Sequence, residues 1–559
     1  MKMLMKKINQ INEHLNTKLK FFAIIYIVGF LLYSFLINNQ LVNTYDGLWQ
    51  GQYNIAGKWE TSIGRVLLPL FDFLHWGING EPLQSLFALV FLCLSLVLIF
   101  ELFDAINLKG IFLSLFIIGH TTTLNLFSYR YTSLDFFIGI FIATLAAFIY
   151  IREPLKSEHL KNLVFQSANF GDSNGNHNSK KSKIRLFIGS HKQVKYYLFI
   201  EPILIIATLS IYQTFISVTL FILISYYIYS ILHKKDIFIK DIIIFLILFL
   251  LSCIVYKIAW SVELKIFNIG ISSYGNADKT NVLNMILNLP TAFINSYVLL
   301  FRYLSGDGII IHNAFKLYII EILFTIIVII NIFVNAYKIK LQKEKLFLLI
   351  LLTLLIPPAL CAQLFFAVGN GVNTVSSFPY VLFIPMLFLL YFNYNKNYIN
   401  IITLLLSVII LHSTIYQFEV DMTTMWESKN ATVNLMNSVI NKLEIMNLYN
   451  DEYEYMFLGK PAENEMFFTT ENKHRILKEM LRANSYARVG DFWTSPGNMW
   501  MSYNGLFKNV MGCGIKINLK TYEDYAYIKD IEQYLSLEPF PKDNFAMQVD
   551  NVVIVKISN

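Results

Sequence analysis

Long apolar runs constrain this chain more than any other feature. A helix needs about 20 consecutive apolar residues to cross the hydrocarbon core of a bilayer, and stretches such as 83–103 and 314–337 reach that length. Of the 559 residues, 55% are hydrophobic and only 15% are charged, against about a quarter charged in a soluble domain. Mean hydropathy is +0.51. The runs are continuous rather than alternating, which argues against a β-barrel. The predicted fold class is a polytopic α-helical membrane protein with about 11 transmembrane helices. They are expected at roughly 21–38, 83–103, 111–128, 134–151, 196–212, 215–232, 241–260, 314–337, 346–367, 378–394 and 398–414. Two further stretches, 65–78 and 283–304, are apolar but interrupted, and read as interfacial or re-entrant helices or short spans.

Lys and Arg set the orientation, because cytoplasmic loops retain them. Lys2, Lys6, Lys7, Lys18 and Lys20 stand against the single acid Glu13 in the N-terminal segment 1–20. The loop 152–195 holds nine cations and three acids. Lys234, Lys235 and Lys240 mark a third basic loop, and Lys338, Lys340, Lys343 and Lys345 a fourth. With the spans above, all four fall on one side, the cytoplasm. The loop 39–82 and the C-terminus then face outward. The excess of Ile, Lys and Asn suggests an AT-rich bacterial genome, so the expected location is a bacterial plasma membrane. The net charge of +7 follows these loops and is not read as nucleic-acid binding. The Ser-, Asn-, Gly- and Lys-rich stretch from Asn169 to Lys183 is expected to be a disordered linker.

From about Tyr416 the composition changes. Residues 415–559 hold 19 acids and 14 cations, so this tail is acidic where the membrane part (21–414) is basic. Thr432 to Leu448 has helical apolar spacing, and Asp451 to Leu458 and Val552 to Ile557 read as strands. A small α+β extracytoplasmic domain is expected. Internal repeats of the kind common in transporters are absent from the sequence. Cys93, Cys253, Cys361 and Cys513 show neither metal nor redox spacing.

The candidate site is the polar segment in the outer loop: Tyr45-Asp46-Gly47-Leu48-Trp49, then Lys58-Trp59-Glu60, then Gly64-Arg65. Polar and charged groups crowded against a bilayer are costly without partners. Asp46 there is placed to accept a proton from a sugar hydroxyl, or to sit as a solvated loop acid or helix N-cap. Trp49 and Trp59 offer flat apolar faces for sugar rings, and equally suit an interfacial aromatic belt. Lys58 and Arg65 are candidate phosphate ligands, Arg through two parallel hydrogen bonds; Arg65 could instead snorkel to the interface. Asp72 and Glu81 are further outer carboxylates, able to assist Asp46, as Glu60 would, or to bind a divalent cation. The spacing is diagnostic for no metal, and no cofactor is certain. Arg130, in Ser128-Tyr129-Arg130-Tyr131, and Arg302 suit a lipid phosphate, or a structural ion pair such as Arg130 with Asp135. Tyr212-Gln213 forms an outer turn. Phosphate loops, nucleophile elbows and kinase signatures do not occur.

An outward first loop with an acid, a downstream Gly-Arg pair, many spans, a Tyr-Gln turn and an extracytoplasmic tail occur together here. On Tyr45-Asp46, Trp59 with Gly64-Arg65, and Tyr212-Gln213, the chain resembles the Gtr type II glucosyltransferase family, bacterial membrane enzymes of the GT-C class that glucosylate surface polysaccharides such as O-antigen. The resemblance runs to about residue 415. The family often shows two adjacent acids followed closely by an Arg; here Asp46 is followed by Gly47. The resemblance implies a polyprenyl-phosphate-linked sugar donor and a surface polysaccharide acceptor meeting outside the bilayer. Asp46 would be the base. Arg65, with Lys58, Arg130 or Arg302, would hold the phosphate, and Tyr45, Trp49, Trp59, Tyr212 and Gln213 would line the sugar site. A polysaccharide polymerase or ligase, or a lipid-linked oligosaccharide transporter, are the competing readings.

Overall fold

The computed structural model describes residues 2–51, 54–75, 78, 80–170, 197–235, 239–274, 278, 282–306, 318–365, 375–391, 398–450, 452–467, 480, 482–493, 495–524 and 536–559. The linker expected at 169–183 lies, from 171 onward, outside these residues. The chain opens with helix α1 (Lys2–Asn38). Three short helices follow in the loop between α1 and the next long helix: α2 (Asp46–Trp49), α3 (Lys58–Ser62) and α4 (Leu68–Leu74). Then come α5 (Leu83–Leu102), α6 (Leu108–Ile118), α7 (Thr121–Phe127) and α8 (Ser133–Phe170). Helices α9 (Tyr197–Ile211), α10 (Ile216–Leu232), α11 (Ile239–Ile266), α12 (Val282–Ser305) and α13 (Tyr318–Lys338) continue the bundle. It closes with α14 (Lys343–Leu354), α15 (Ile356–Leu360), α16 (Phe378–Val381), α17 (Phe383–Tyr391) and α18 (Tyr398–Ile445).

Among the described residues, eight helices are long and apolar enough to cross a bilayer, and the bent pair α6–α7 makes a ninth if it is one span. Two shorter apolar helices lie at 199–211 and 375–391. The stretch 65–78, read as an interrupted apolar segment, forms only the short α4. By contrast 283–304, also read as interrupted, is one continuous helix through Pro290. The stretch 346–367 breaks instead. Pro358 has no N–H for the Leu354 carbonyl four residues earlier, and the Tyr297 hydroxyl from α12 donates to that carbonyl at 2.6 Å. Asn288 of α12 likewise donates to the Leu364 carbonyl at 3.0 Å. The polar residues that made 283–304 look interrupted therefore satisfy the backbone of the broken helix beside it.

The centre of the bundle is α8, packed on α5, α9 and α10. Small residues let the helices close. Ala143, Ala146 and Ala147 are fully buried, and the Thr219 hydroxyl donates to the Ala143 carbonyl at 2.8 Å. One cation from each of three basic segments meets an acid at the ends of α5 and its neighbours. Buried Glu101 pairs with Lys18 at 2.7 Å and Arg152 at 2.9 Å, and Lys235 pairs with Asp104 at 3.5 Å. The loop carrying α2, α3 and α4 lies at the opposite ends of α1 and α5.

The composition change near residue 415 falls inside the 48-residue α18. Beyond it the tail forms a small three-stranded sheet from β1 (Glu454–Leu458), β2 (Ala546–Val549) and β3 (Val552–Lys556). The strand order is β1-β3-β2, with Met456 opposite Ile554 in the parallel pair and Met547 opposite Ile554 in the antiparallel one. Both expected strands are present. Phe457, Val553, Ile554 and Val555 are fully buried, and the Phe457 ring packs on Tyr503 and Phe507; Tyr503 belongs to α19 (Pro496–Gly505).

Candidate active site

Asp46 is the first residue of α2, and Asn43 fixes where it stands. The Asn43 side-chain carbonyl accepts the N–H groups of Tyr45 and Gly47, each at 3.0 Å. Its amide donates to the Ser128 hydroxyl at 3.1 Å. This Asx-type turn pins the loop to the connection between α7 and α8. Gly47 is pressed against that connection. A Cβ there would lie 2.5 Å from the Ser128 carbonyl oxygen and 2.7 Å from the Asn43 amide nitrogen. No side chain fits, which gives a physical reason for glycine where the resemblance suggests a second acid.

The Asp46 carboxylate is half-buried and makes no hydrogen bond among the described residues. Burial and the neighbouring Glu60 raise its pKa above the ordinary carboxylate value, and Arg65 opposes them. Arg65 and Asp46 thus sense each other without forming an ion pair.

Arg65 is held by aromatic faces. Its guanidinium lies 4.6 Å from the centroid of the Tyr212 ring and 5.7 Å from that of Trp59. Its Nε is buried and has no hydrogen-bond partner among the described residues. Stacking of this kind holds the cation while leaving its in-plane N–H donors available. The turn before it is built for this pose. Gly64 has φ +92°, and a Cβ there would collide with the Tyr256 hydroxyl and the Gln213 amide. Tyr256 donates to the Gly64 carbonyl at 2.7 Å, and Trp260 to the Thr61 carbonyl at 2.7 Å. Gln213 donates to the Ile63 carbonyl at 2.8 Å and to Tyr256 at 2.9 Å. Gln213, expected at the sugar, thus uses its amide nitrogen to hold the Gly-Arg turn. Tyr212, also expected there, is the shelf beneath Arg65. Glu60 accepts the Gly57 N–H at 2.7 Å and so steadies the start of α3.

The structure therefore brings Asp46, Trp59, Glu60, Arg65, Tyr212 and Gln213 into one group. The remaining candidates lie around it. Tyr45 and Trp49 turn toward the tail: Tyr45 packs on Trp493 with ring centroids 4.5 Å apart, and the Trp49 indole donates to the Ser502 hydroxyl at 3.0 Å. Asn509 donates to the carbonyls of Leu48 and Trp49, each at 3.1 Å. Lys58 is exposed at the start of α3, and Arg302 is exposed on α12, outside this group. Arg130 is buried, donates to Gln40 at 3.3 Å, and is held down to a pKa of about 10 by burial, with Glu81 opposing. Glu81 accepts from Ser85 at 2.6 Å, and its other oxygen is buried without a partner among the described residues. The alternative pairing of Arg130 with Asp135 does not form. Asp135 lies with His75 at 2.8 Å instead.

Asp72 belongs to that second group. It is fully buried, and burial together with the neighbouring Asp135 carboxylate pushes its carboxyl up to about 8. Burial, and after it the Asp46 carboxylate, raises the pKa of the Tyr131 phenol. Tyr131, Tyr256, Tyr274, Trp493, His75 and Asp135 were not among the expected site residues. Most come from distant parts of the chain. His75, three residues after Asp72, was the one with a local signal, because i and i+3 share a helix face.

A family model described as glucosyl transferase GtrII matches residues 46–390 of this chain, starting at Asp46 itself. No curated protein and no solved structure matches it.

Proposed function

The chain belongs to the GtrII glucosyltransferase family, and from that premise we propose that it moves glucose or a related hexose from a polyprenyl-phosphate donor to a cell-surface glycan, at the outer face of a bacterial plasma membrane. The observation that carries this reading is the relation of Asp46 to Arg65: a half-buried carboxylate without a hydrogen bond, near a cation held on two aromatic faces without an ion pair.

The chemistry asks little more of the protein. The donor's anomeric carbon already carries a phosphate leaving group. Asp46 takes the proton of the acceptor hydroxyl as its oxygen bonds to the anomeric carbon. The bond from that carbon to the phosphate oxygen breaks, and the lipid phosphate departs with the electron pair. Arg65 neutralises the developing charge through its free edge. Attack opposite the leaving group inverts the anomeric centre. Trp59 and Tyr274, whose rings lie 5.4 Å apart, suit the donor side. Tyr45, Trp49 and half-exposed Trp493 suit an acceptor sugar ring.

The gathering of Lys18, Arg152 and Lys235 around Glu101 and Asp104 supports the sidedness, because the basic end is retained in the cytoplasm. The Asp46 loop and the tail then lie outside. The deciding experiment is compositional and linkage analysis of the surface polysaccharide from a deletion strain. Loss of one side-chain sugar, restored by the wild-type gene, is the expected result. Shortened chains would point to a polymerase, and accumulated lipid-linked oligosaccharide to a transporter; either would overturn the reading.

A further inference from the structure

We propose that Asp72, His75 and Asp135 form a binding site for one divalent transition-metal ion, of the Zn2+ or Mn2+ type, joining α4 to the start of α8. All three side chains are buried, and each places one ligand atom within 4.8 Å of the others. His75 Nε2 lies 2.8 Å from Asp135 Oδ1 and 3.9 Å from Asp72 Oδ1. The outer oxygens are already engaged. The Ala56 N–H donates to Asp72 Oδ2 at 2.5 Å, and the Thr132 hydroxyl to Asp135 Oδ2 at 3.4 Å. The two Oδ1 atoms are thereby aimed at the imidazole. Such outer contacts are how proteins orient metal ligands. Asp72 is only 2% exposed, and its Oδ1 is buried without a hydrogen-bond partner among the described residues.

A hydrogen-bonded triad alone would leave that oxygen desolvated without a donor. A divalent cation supplies a partner for that oxygen and offsets the repulsion between the two neighbouring carboxylates. One imidazole nitrogen with two carboxylate oxygens suits Zn2+ or Mn2+ better than an all-oxygen cation such as Mg2+ or Ca2+. Three protein ligands leave further positions for water. The site stands independently of the transfer reading.

The test uses full-length protein purified in detergent, stripped with chelator and titrated with Mn2+ under electron paramagnetic resonance. The expected result is one bound Mn2+ per chain, displaced by stoichiometric Zn2+, with nitrogen coupling from an imidazole. His75→Ala should remove that coupling, and both His75→Ala and Asp135→Asn should weaken binding at least about tenfold. Absence of stoichiometric binding, or of nitrogen coupling, in the wild-type protein overturns the proposal without recourse to any variant. So does unchanged binding in both variants. Metal binding in a protein that transfers no sugar would sink the transfer reading and leave this site standing.

Discussion

The guanidinium of Arg65 rests 4.6 Å from the centre of the Tyr212 ring, so the residue before the α10 span carries a cation supplied by the loop between α1 and α5. Gln213, next in the chain, holds the same turn through the Ile63 carbonyl. The Gly-Arg pair and the Tyr-Gln turn, nearly 150 residues apart, are two halves of one device.

Removing the cation should therefore cost catalysis. Arg65→Ala is expected to lower kcat/KM for the lipid donor by about 10²–10³, the range for losing one charge-stabilising donor. Arg65→Lys should recover only part, because an ammonium lacks the flat fork that both stacks and binds two oxygens. Tyr212→Ala should act in the same direction more weakly. Steady-state kinetics over donor concentration checks all three, and wild-type values in Arg65→Ala would remove it from the phosphate site.

Gly47 should tolerate no side chain. Gly47→Ala places a Cβ 2.5 Å from the Ser128 carbonyl, and overpacking of this kind costs about 1–3 kcal/mol. Gly47→Asp, which restores the adjacent acid, should be worse and should not raise activity. Thermal unfolding in detergent is the check; an unchanged midpoint for Gly47→Ala would contradict the crowding seen here.

Much of this arrangement was legible in the sequence, for identifiable reasons. Asp46, Arg65 and the Tyr212-Gln213 turn could be singled out because polar groups beside long apolar runs are few. The strands at 454–458 and 552–556 follow from alternation and β-branched residues. What could not be read was pairing over distance. Trp493 meets Tyr45 only because the tail folds back over the first loop, and Asp135 reaches His75 only because α4 lies on α8. The interrupted look of 283–304 misled for a related reason: Asn288 and Tyr297 are polar because a neighbouring helix is broken at Pro357 and Pro358, and neither fact is local.

The tail should matter to catalysis through α2. Asn509→Ala removes hydrogen bonds to the Leu48 and Trp49 carbonyls, each worth about 1 kcal/mol. The expected outcome is a severalfold fall in kcat with donor KM little changed, since in the proposed mechanism α2 positions the base and not the phosphate ligand. Trp49→Phe, which deletes the indole bond to Ser502 and trims the ring that faces Trp493, should behave similarly. Parallel assays of expression, unfolding and turnover separate this from misfolding.

The pH profile should follow Asp46. Burial and Glu60 raise its pKa above the usual carboxylate value, and Arg65 lowers it. A base works ionised, so kcat/KM is expected to fall as pH drops through that raised pKa and to level off above it. Glu60→Gln should move the acidic limb to lower pH, and loss of Arg65 should move it to higher pH. Shifts of the opposite sign would place the titrating group elsewhere.

The most direct test is transfer by purified full-length Asp46→Asn, assayed with a labelled polyprenyl-phosphate hexose and the native surface glycan beside wild type. The substitution keeps the shape of the side chain and removes the base. The account predicts turnover reduced by about 10²–10⁴ with unfolding behaviour and donor binding retained. Wild-type turnover in Asp46→Asn would contradict it.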